Sequence, residues 1–145
     1  MSNTISFSVS SKSESPARTN INVRGFNLIV DEPKSLGGTD LAPNPVEYIL
    51  AGYAGCINVV AHIVAKEQKL NLKNLEIDIK GNLDPARLFG TSFKERAGYK
   101  NLEVSLKTTT KLDEGQKIKW LKEIEARCPV NDNLSNITPI TFSLN

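Results

Sequence analysis

The N-terminal third of the chain alternates apolar and polar residues in short runs. Apolar residues alternate with serines over residues 5–9 and with asparagines over residues 20–23. A period of two with polar partners is typical of half-buried strands. The pattern therefore predicts several short strands here, including a hairpin over residues 20–29 with Arg24 and Gly25 at its turn.

A longer segment, from Pro45 to about Glu67, has its apolar residues at helical spacing. Asn44 suits the cap before this helix, and Pro45 suits its first turn. The opposite face is also apolar, because Glu47 is the only Asp, Glu, Lys or Arg within residues 42–64. A helix that is apolar all round is normally buried. We therefore expect a central helix that is covered on both sides, by a sheet or by a second subunit.

The rest of the chain alternates between strand and helix patterns. The predicted elements are a strand over residues 75–80, an irregular stretch over 81–100, a strand over 102–106, a helix from Asp113, a short second helix at Cys128-Pro129 and a strand over 137–144. This order indicates an α+β fold rather than a regular alternation of strands and helices. The length of 145 residues favours a single domain, residues 1–145.

Charge and composition exclude several classes of protein. The chain has 18 Lys and Arg against 16 Asp and Glu, a net charge of +2, so we expect no nucleic-acid partner. The polar N-terminus has no signal peptide pattern, and no uninterrupted run of 18 apolar residues predicts a membrane span. Two cysteines and one histidine exclude a disulfide scaffold and a Cys/His zinc site. We expect a cytoplasmic protein with reduced thiols.

The two cysteines are the candidates for chemistry. Cys56 lies midway along the predicted central helix among small residues, and Cys128 precedes Pro129 at a predicted helix start, where a thiolate is stabilised. Each could instead be an inert core residue, as most free cysteines are. Together they could reduce peroxides, because one thiolate becomes a sulfenic acid and the second condenses with it to a disulfide. Sequence spacing leaves open whether they meet.

Two segments resemble the OsmC/Ohr family, the osmotically inducible protein C and organic hydroperoxide resistance proteins. DEPKSLGGTDLAPNPVEYILAGYAGC (31–56) resembles the family's approach to its central cysteine helix. RCPVNDNLSNITPI (127–140) resembles its Cys-Pro segment. The resemblance implies an OsmC-like α+β fold with antiparallel-rich sheets around a buried central cysteine helix. It also implies an intertwined homodimer with its active sites at the subunit interface.

The resemblance further implies a thiol peroxidase that acts in oxidative-stress defence. Cys56 would be the peroxidatic cysteine and Cys128 the resolving one. The substrates would be organic hydroperoxides, and a dithiol, possibly on a lipoylated protein, would be the reductant. No metal and no cofactor are expected. The alternative on the same fold is a non-catalytic dimer that binds an apolar ligand or a partner protein.

One feature departs from the family pattern. Peroxidase members carry a glutamate ten residues before the peroxidatic cysteine, paired with an N-terminal arginine. Here that position is Val46, and the nearest glutamate is Glu47, which is rotated by about 100° on a helix. Arg24 is the first candidate for the arginine, and Arg18 is the second. We also expect residues 82–98 to form a mobile cover over the Cys56 pocket, or else a surface loop with its phenylalanines in the core.

Overall fold

The computed structural model describes residues 3–145 and has a mixed α+β fold. Backbone contacts divide the chain into two compact units, Met1–Ile49 and Leu50–Asn145. Each unit is described here by itself. The single helix that carries Cys56 begins in the first unit and continues through the second.

The N-terminal unit contains an antiparallel three-stranded sheet. Its strands, in sheet order, are β1 (Ser10–Ser13), β2 (Thr19–Val23) and β3 (Phe26–Val30). The predicted hairpin is confirmed, since Val23 pairs with Phe26 across a turn formed by Arg24 and Gly25. Both turn residues have positive φ, 53° and 91°, the backbone that a tight two-residue hairpin requires.

The predicted strand over residues 5–9 does not form. The described sheet begins at Ser10, and Phe7 is 87% exposed. Its alternating pattern is real, but a strand needs a neighbour to accept its hydrogen bonds. Within the described part of this chain, residues 5–9 have no such neighbour.

A buried carboxylate organises the loop after β3. Asp31 is completely buried. It accepts hydrogen bonds from the Thr39 hydroxyl at 2.6 Å and from the backbone N–H groups of Glu32, Thr39 and Leu41. The Thr39 bond is the largest influence on this group; it outweighs the opposing effect of burial and, with the N–H bonds, lowers the pKa of Asp31 to about 2. The loop is thus built around a fully bonded, ionised side chain.

Helix α1 (Pro45–Glu67) has the predicted bounds. At its N-terminus the Asn44 side chain accepts from the Glu47 N–H at 2.9 Å, and the Glu47 carboxylate accepts from the Asn44 N–H at 2.8 Å. This reciprocal pair is a capping box, which satisfies two backbone donors that a helix start would otherwise leave free. Asn44 is the predicted cap, whereas the part played by Glu47 was not predicted.

The C-terminal unit packs two more helices and a hairpin with α1. Its elements are the antiparallel strands β4 (Glu76–Asn82) and β5 (Asn101–Lys107), followed by α2 (Glu114–Arg127) and α3 (Pro129–Ser135). Asp113 and Gln116 form the predicted capping box of α2. The core is a cluster of buried residues from α1, from α2 and from the junction that follows α2: Tyr53, Ile57, Val60, Ala61, Val64, Ala65, Trp120, Ile124 and Cys128.

One face of α1 is uncovered. Val59 is 56% exposed and Ile63 is 44% exposed, so the prediction of a helix buried on all sides is not met by this chain alone. By length and composition α1 could cross a membrane. A single such helix is weak support for a span, because the core helix of a globular protein passes the same test, and the core-facing residues of α1 pack in the cluster above.

The end of the chain also differs from the prediction. Residues 137–144 alternate apolar and polar side chains, yet they adopt no regular secondary structure within residues 3–145. Ile137, Phe142 and Leu144 are each more than 90% exposed. As with residues 5–9, the pattern of a strand is present but its hydrogen-bonding neighbour is not.

Candidate active site

The two cysteines, which are far apart in sequence, lie next to each other. Cys56 is on α1, and Cys128 is at the junction of α2 and α3. Their Sγ atoms are 3.0 Å apart, with the Cys128 thiol placed to donate to the Cys56 sulfur, and both cysteines are free. A disulfide has an S–S distance of about 2.05 Å. The pair is therefore reduced and within reach of a bond that needs only a small movement.

Cys128 occupies the turn that joins two helices. Its backbone N–H closes α2 by donating to the Ile124 carbonyl at 3.1 Å, and its sulfur accepts from the Asn131 N–H at 3.4 Å. Pro129 follows as the first residue of α3, which suits a position without an N–H donor. The predicted helix start at Cys128-Pro129 is confirmed, and it fixes the direction of the sulfur.

A salt bridge holds the turn against α1. The Arg127 guanidinium makes two bonds to the Glu67 carboxylate, at 2.5 and 3.0 Å. The hydrogen bond from Arg127 is the main cause that lowers the pKa of Glu67. Because Arg127 directly precedes Cys128 and Glu67 ends α1, this bidentate pair restrains the backbone that carries the second sulfur.

A cavity of mixed polar and apolar lining opens beside Cys128, and Cys56 is not among its lining residues. It has a volume of about 310 Å³. Its lining residues come from α1, β5, α2 and α3: Tyr53, Ile57, Leu102, Val104, Leu106, Leu121, Ile124, Glu125, Cys128 and Asn131. Cys128 is only 1% exposed, whereas Cys56 is partly exposed. The lining combines aliphatic side chains with the polar groups of Tyr53, Glu125 and Asn131, a mixture that suits a small molecule with both apolar and polar parts.

Burial sets the protonation of the second cysteine. Desolvation is the largest cause that raises the pKa of the Cys128 thiol, and its hydrogen bond to Cys56 adds to the effect. Cys128 therefore keeps its proton at neutral pH. A protonated Cys128 can donate its S–H to the Cys56 sulfur, as the geometry of the pair requires.

Tyr53 and Asn131 complete the site. The Tyr53 hydroxyl donates to the Asn131 side-chain carbonyl at 2.6 Å. Burial is the main cause that raises the pKa of Tyr53, so its hydroxyl stays protonated. The sequence analysis did not single out these residues as functional. Tyr53 is three residues before Cys56 and Asn131 is three after Cys128, and this spacing was the available signal.

The other predicted site residues lie in the N-terminal unit. Glu47 is engaged in the cap of α1. Arg18 pairs with Glu14 at 2.9 Å and donates to Thr39, while Arg24 lies over the ring of Phe26, 5.7 Å from its centre. These contacts give each residue a partner of its own. The roles predicted for them at the thiolate stay predictions.

The irregular segment 82–98 is not seen as a cover. Of the described residues that line the cavity, none belongs to this segment. Leu88, Phe89 and Phe93 are all more than half exposed, so the phenylalanines are not tucked into the core either. Arg87 braces the loop from within by donating to the carbonyls of Phe93 and Glu95.

The described residues offer no obvious metal site, since no three His, Cys, Asp or Glu side chains among them are grouped as ligands. The chemistry available to this arrangement is that of its two thiols. Cys56 is partly exposed, whereas Cys128 is buried, protonated and part of the cavity lining.

Comparisons with known proteins identify the fold. The OsmC-like protein family model matches residues 38–143, which is more than half of the chain. No curated protein sequence gives a match.

Solved structures agree with this result. An OsmC-like protein from Mycoplasma pneumoniae has a TM-score of 0.78 at 15% identity, covering 92% of this chain and 89% of its own. An organic hydroperoxide resistance protein from Legionella pneumophila has 0.66 at 20%, covering 90% and 89%. Another, from Elizabethkingia anophelis with thiocyanate bound, has 0.66 at 19%, covering 91% and 89%. The chain thus belongs to the OsmC-like family and has its α+β fold.

Proposed function

We propose that this protein is a cysteine-based thiol peroxidase that reduces organic hydroperoxides, with Cys56 peroxidatic and Cys128 resolving. The observation that carries the proposal is the 3.0 Å distance between two free sulfurs from distant parts of the chain. A pair of inert core cysteines has no need of that approach. Similar structures that bear the name organic hydroperoxide resistance protein support the same assignment.

The reaction follows from the unequal exposure of the two sulfurs. The Cys56 thiolate attacks the outer oxygen of ROOH, the O–O bond breaks, and the products are the Cys56 sulfenic acid and an alkoxide that takes a proton from water. The Cys128 sulfur then attacks the sulfenic sulfur. Its proton joins the departing hydroxyl as water, and a Cys56–Cys128 disulfide remains.

The cavity contains aliphatic side chains that can contact the hydrocarbon group of a peroxide. Its aliphatic lining removes apolar surface from water, which stabilises a bound hydrocarbon chain by about 0.8 kcal/mol per CH₂ group. The reductant in this proposal is a dithiol such as that of a lipoylated protein. Its first thiol attacks the accessible Cys56, and its second thiol releases the resulting mixed disulfide.

The proposal includes an intertwined homodimer of single 145-residue domains that acts in the cytoplasm. Several observations support the dimer. The uncovered face of α1 carries Val59 and Ile63, and a side chain at Gly52 or Gly55 would meet nothing within 4 Å in this chain. The unpaired strand patterns at both ends provide further apolar surface. A partner subunit would cover all of these, so light scattering should give twice the 15.9 kDa chain mass.

The ion that stabilises the Cys56 thiolate is assigned to Arg24 first and to Arg18 second, with Glu47 as a weaker candidate for the family's carboxylate. Each arginine is replaced in turn by methionine in a Cys128→Ser background. Loss of the arginine that stabilises the thiolate should slow alkylation of Cys56 below pH 8. An unchanged alkylation rate in both variants would contradict this assignment while leaving the cysteine roles intact.

A count of free thiols tests the function. Reduced protein is mixed with one equivalent of cumene hydroperoxide, and thiols are titrated over time. Both thiols should disappear within seconds, and Cys56→Ser should lose peroxide consumption altogether. If both thiols of the wild type persist, the alternative of a non-catalytic dimer that binds an apolar ligand or a partner protein is favoured. The observation that favours this alternative is that the Glu47 carboxylate is engaged in the cap of α1.

A further inference from the structure

Asn131 is the residue at which three hydrogen bonds meet beside Cys128. Its backbone N–H points to the Cys128 sulfur at 3.4 Å. Its side-chain carbonyl accepts from the Tyr53 hydroxyl at 2.6 Å, and its side-chain NH₂ donates to the Glu125 carbonyl at 3.0 Å. Because both ends of the amide are engaged, its orientation is fixed.

These bonds connect three helices at one point. Tyr53 lies on α1 one turn before Cys56, Glu125 lies in the last turn of α2, and Asn131 lies on α3. The two sulfurs are carried by the same elements. The distance between the sulfurs therefore depends on how firmly the start of α3 is held against α1, and the Tyr53 hydroxyl makes a hydrogen bond directly from α1 to α3, in addition to the Arg127–Glu67 salt bridge.

We infer that Tyr53 and Asn131 are a positioning pair for the resolving step, an inference that rests on the proposed function. The pair keeps Cys128 within reach of Cys56 and keeps one N–H donor aimed at its sulfur. Its effect is to make closure of the disulfide faster than a second oxidation of Cys56 by peroxide.

The same arrangement serves both directions of the cycle. On oxidation, the Sγ–Sγ distance has to shorten from 3.0 Å to about 2.05 Å while the Cys128 proton leaves in water. On reduction, a thiolate of the dithiol attacks Cys56, the S–S bond breaks, and Cys128 leaves with the electron pair. The Asn131 N–H then donates to a thiolate, the state in which a hydrogen bond is strongest.

The test separates the two chemical steps in Tyr53→Phe, which keeps the ring and removes only the hydroxyl. Rapid-quench samples after one equivalent of cumene hydroperoxide are trapped with dimedone for sulfenic acid and alkylated for free thiol. Mass spectrometry then gives the rate of peroxide attack and the rate of disulfide closure. Tyr48→Phe is the matched control, because Tyr48 is on the same helix and its hydroxyl donates to the Ile29 carbonyl at 2.7 Å in the N-terminal unit.

In Tyr53→Phe disulfide closure should slow about tenfold, the change expected for loss of one hydrogen bond, and it should slow by more than peroxide attack does. Sulfinic acid should accumulate with excess peroxide. Tyr48→Phe should keep both rates even where it lowers the unfolding temperature, which separates positioning from stability. Asn131→Ala removes the same bond from its other end, and it decides the matter if Tyr53→Phe does not fold.

Two negative results are distinguishable. Equal closure rates in wild type, Tyr53→Phe and Asn131→Ala would overturn the positioning role and leave the peroxidase proposal standing. A wild type that forms neither sulfenic acid nor disulfide would overturn the proposed function itself, and the positioning role with it.

Discussion

Asp31 and Cys128 are both acidic side chains, one in each unit, and their exposures are 0% and 1%. Asp31 is surrounded by donors, above all the Thr39 hydroxyl, and its pKa falls to about 2. Cys128 is approached by the backbone N–H groups of Asn131 and Val130, but burial outweighs them and raises its pKa. A buried acid whose charged form accepts hydrogen bonds from several donors is a fixed part of the scaffold. A buried acid that its surroundings keep protonated can still transfer its proton and form a new bond.

The largest effect is expected from a substitution of Cys128, because Cys128 takes part in the proposed chemistry and Asp31 does not. Cys128→Ala should eliminate the intramolecular disulfide and increase over-oxidation of Cys56 about tenfold or more, because the sulfenic acid has no resolving thiol. The free energy of unfolding should fall by only about 1 kcal/mol. Intact-mass analysis after excess peroxide and a urea titration measure the two effects. Disulfide within the Cys128→Ala chain is impossible, so unchanged over-oxidation would show that Cys128 does not protect Cys56.

The Asp31 loop should be destabilised by steric clashes within it. An added Cβ at Gly38 would lie 1.8 Å from the Glu32 carbonyl oxygen and 2.8 Å from the Asp31 carboxylate. Gly38→Ala should therefore cost at least about 3 kcal/mol of unfolding free energy. The control is Gly37→Ala, where nothing lies within 4 Å but φ is +85°, and the cost should be about 1 kcal/mol. Similar urea midpoints for the two variants would contradict a rigid loop.

Acid should weaken the Asp31 loop. Its folded-state pKa of about 2 lies below the ordinary value of 3.8, so the stabilisation is complete above pH 3.8 and is lost as the pH falls toward 2. Urea midpoints from pH 5 down to pH 2 should decrease more steeply in the wild type than in Asp31→Asn. Parallel curves would indicate that other carboxylates cause the acid sensitivity.

The smallest expected effect has the opposite sign. Since the folded pKa of Cys128 is raised above the ordinary thiol value of 9.0, unfolding releases a proton at alkaline pH, and stability decreases as the pH rises past 9. Tyr53, whose pKa is also raised, contributes in the same direction. Cys128→Ala should lose part of the alkaline decrease in urea midpoint. An identical decrease would assign all of it to other groups such as Tyr53.

Local signals in the sequence predicted most of the elements. The capping box at Asp113 and Gln116, the turn at Arg24-Gly25 and the bounds of α1 all depend on residues a few positions apart. The strands predicted over residues 5–9 and 137–144 depend on a neighbour, and their described parts have none in this chain. Periodicity identifies a strand-forming pattern but does not supply its partner.

The two reactive sulfurs of the site were predictable from the sequence, but the residues that position them were not. The Cys-Pro segment and the central helix indicated Cys128 and Cys56, and no spacing rule could place their sulfurs 3.0 Å apart. The bond between Tyr53 and Asn131 joins residues 78 positions apart, and tertiary packing alone creates it. The Asp31 carboxylate, which organises the loop after β3, carries no local signal in the sequence.

Trp120, the single tryptophan of the chain, packs in the core between α2 and α1. It is 3% exposed, and its indole N–H donates to the Ala61 carbonyl at 3.0 Å, one and a half turns beyond Cys56 on α1. All tryptophan emission therefore originates at one buried position near the cysteine pair. The tryptophan fluorescence of this chain therefore reports on the packing of α2 against α1. Movement of these helices during oxidation can be followed without attaching a dye to either thiol.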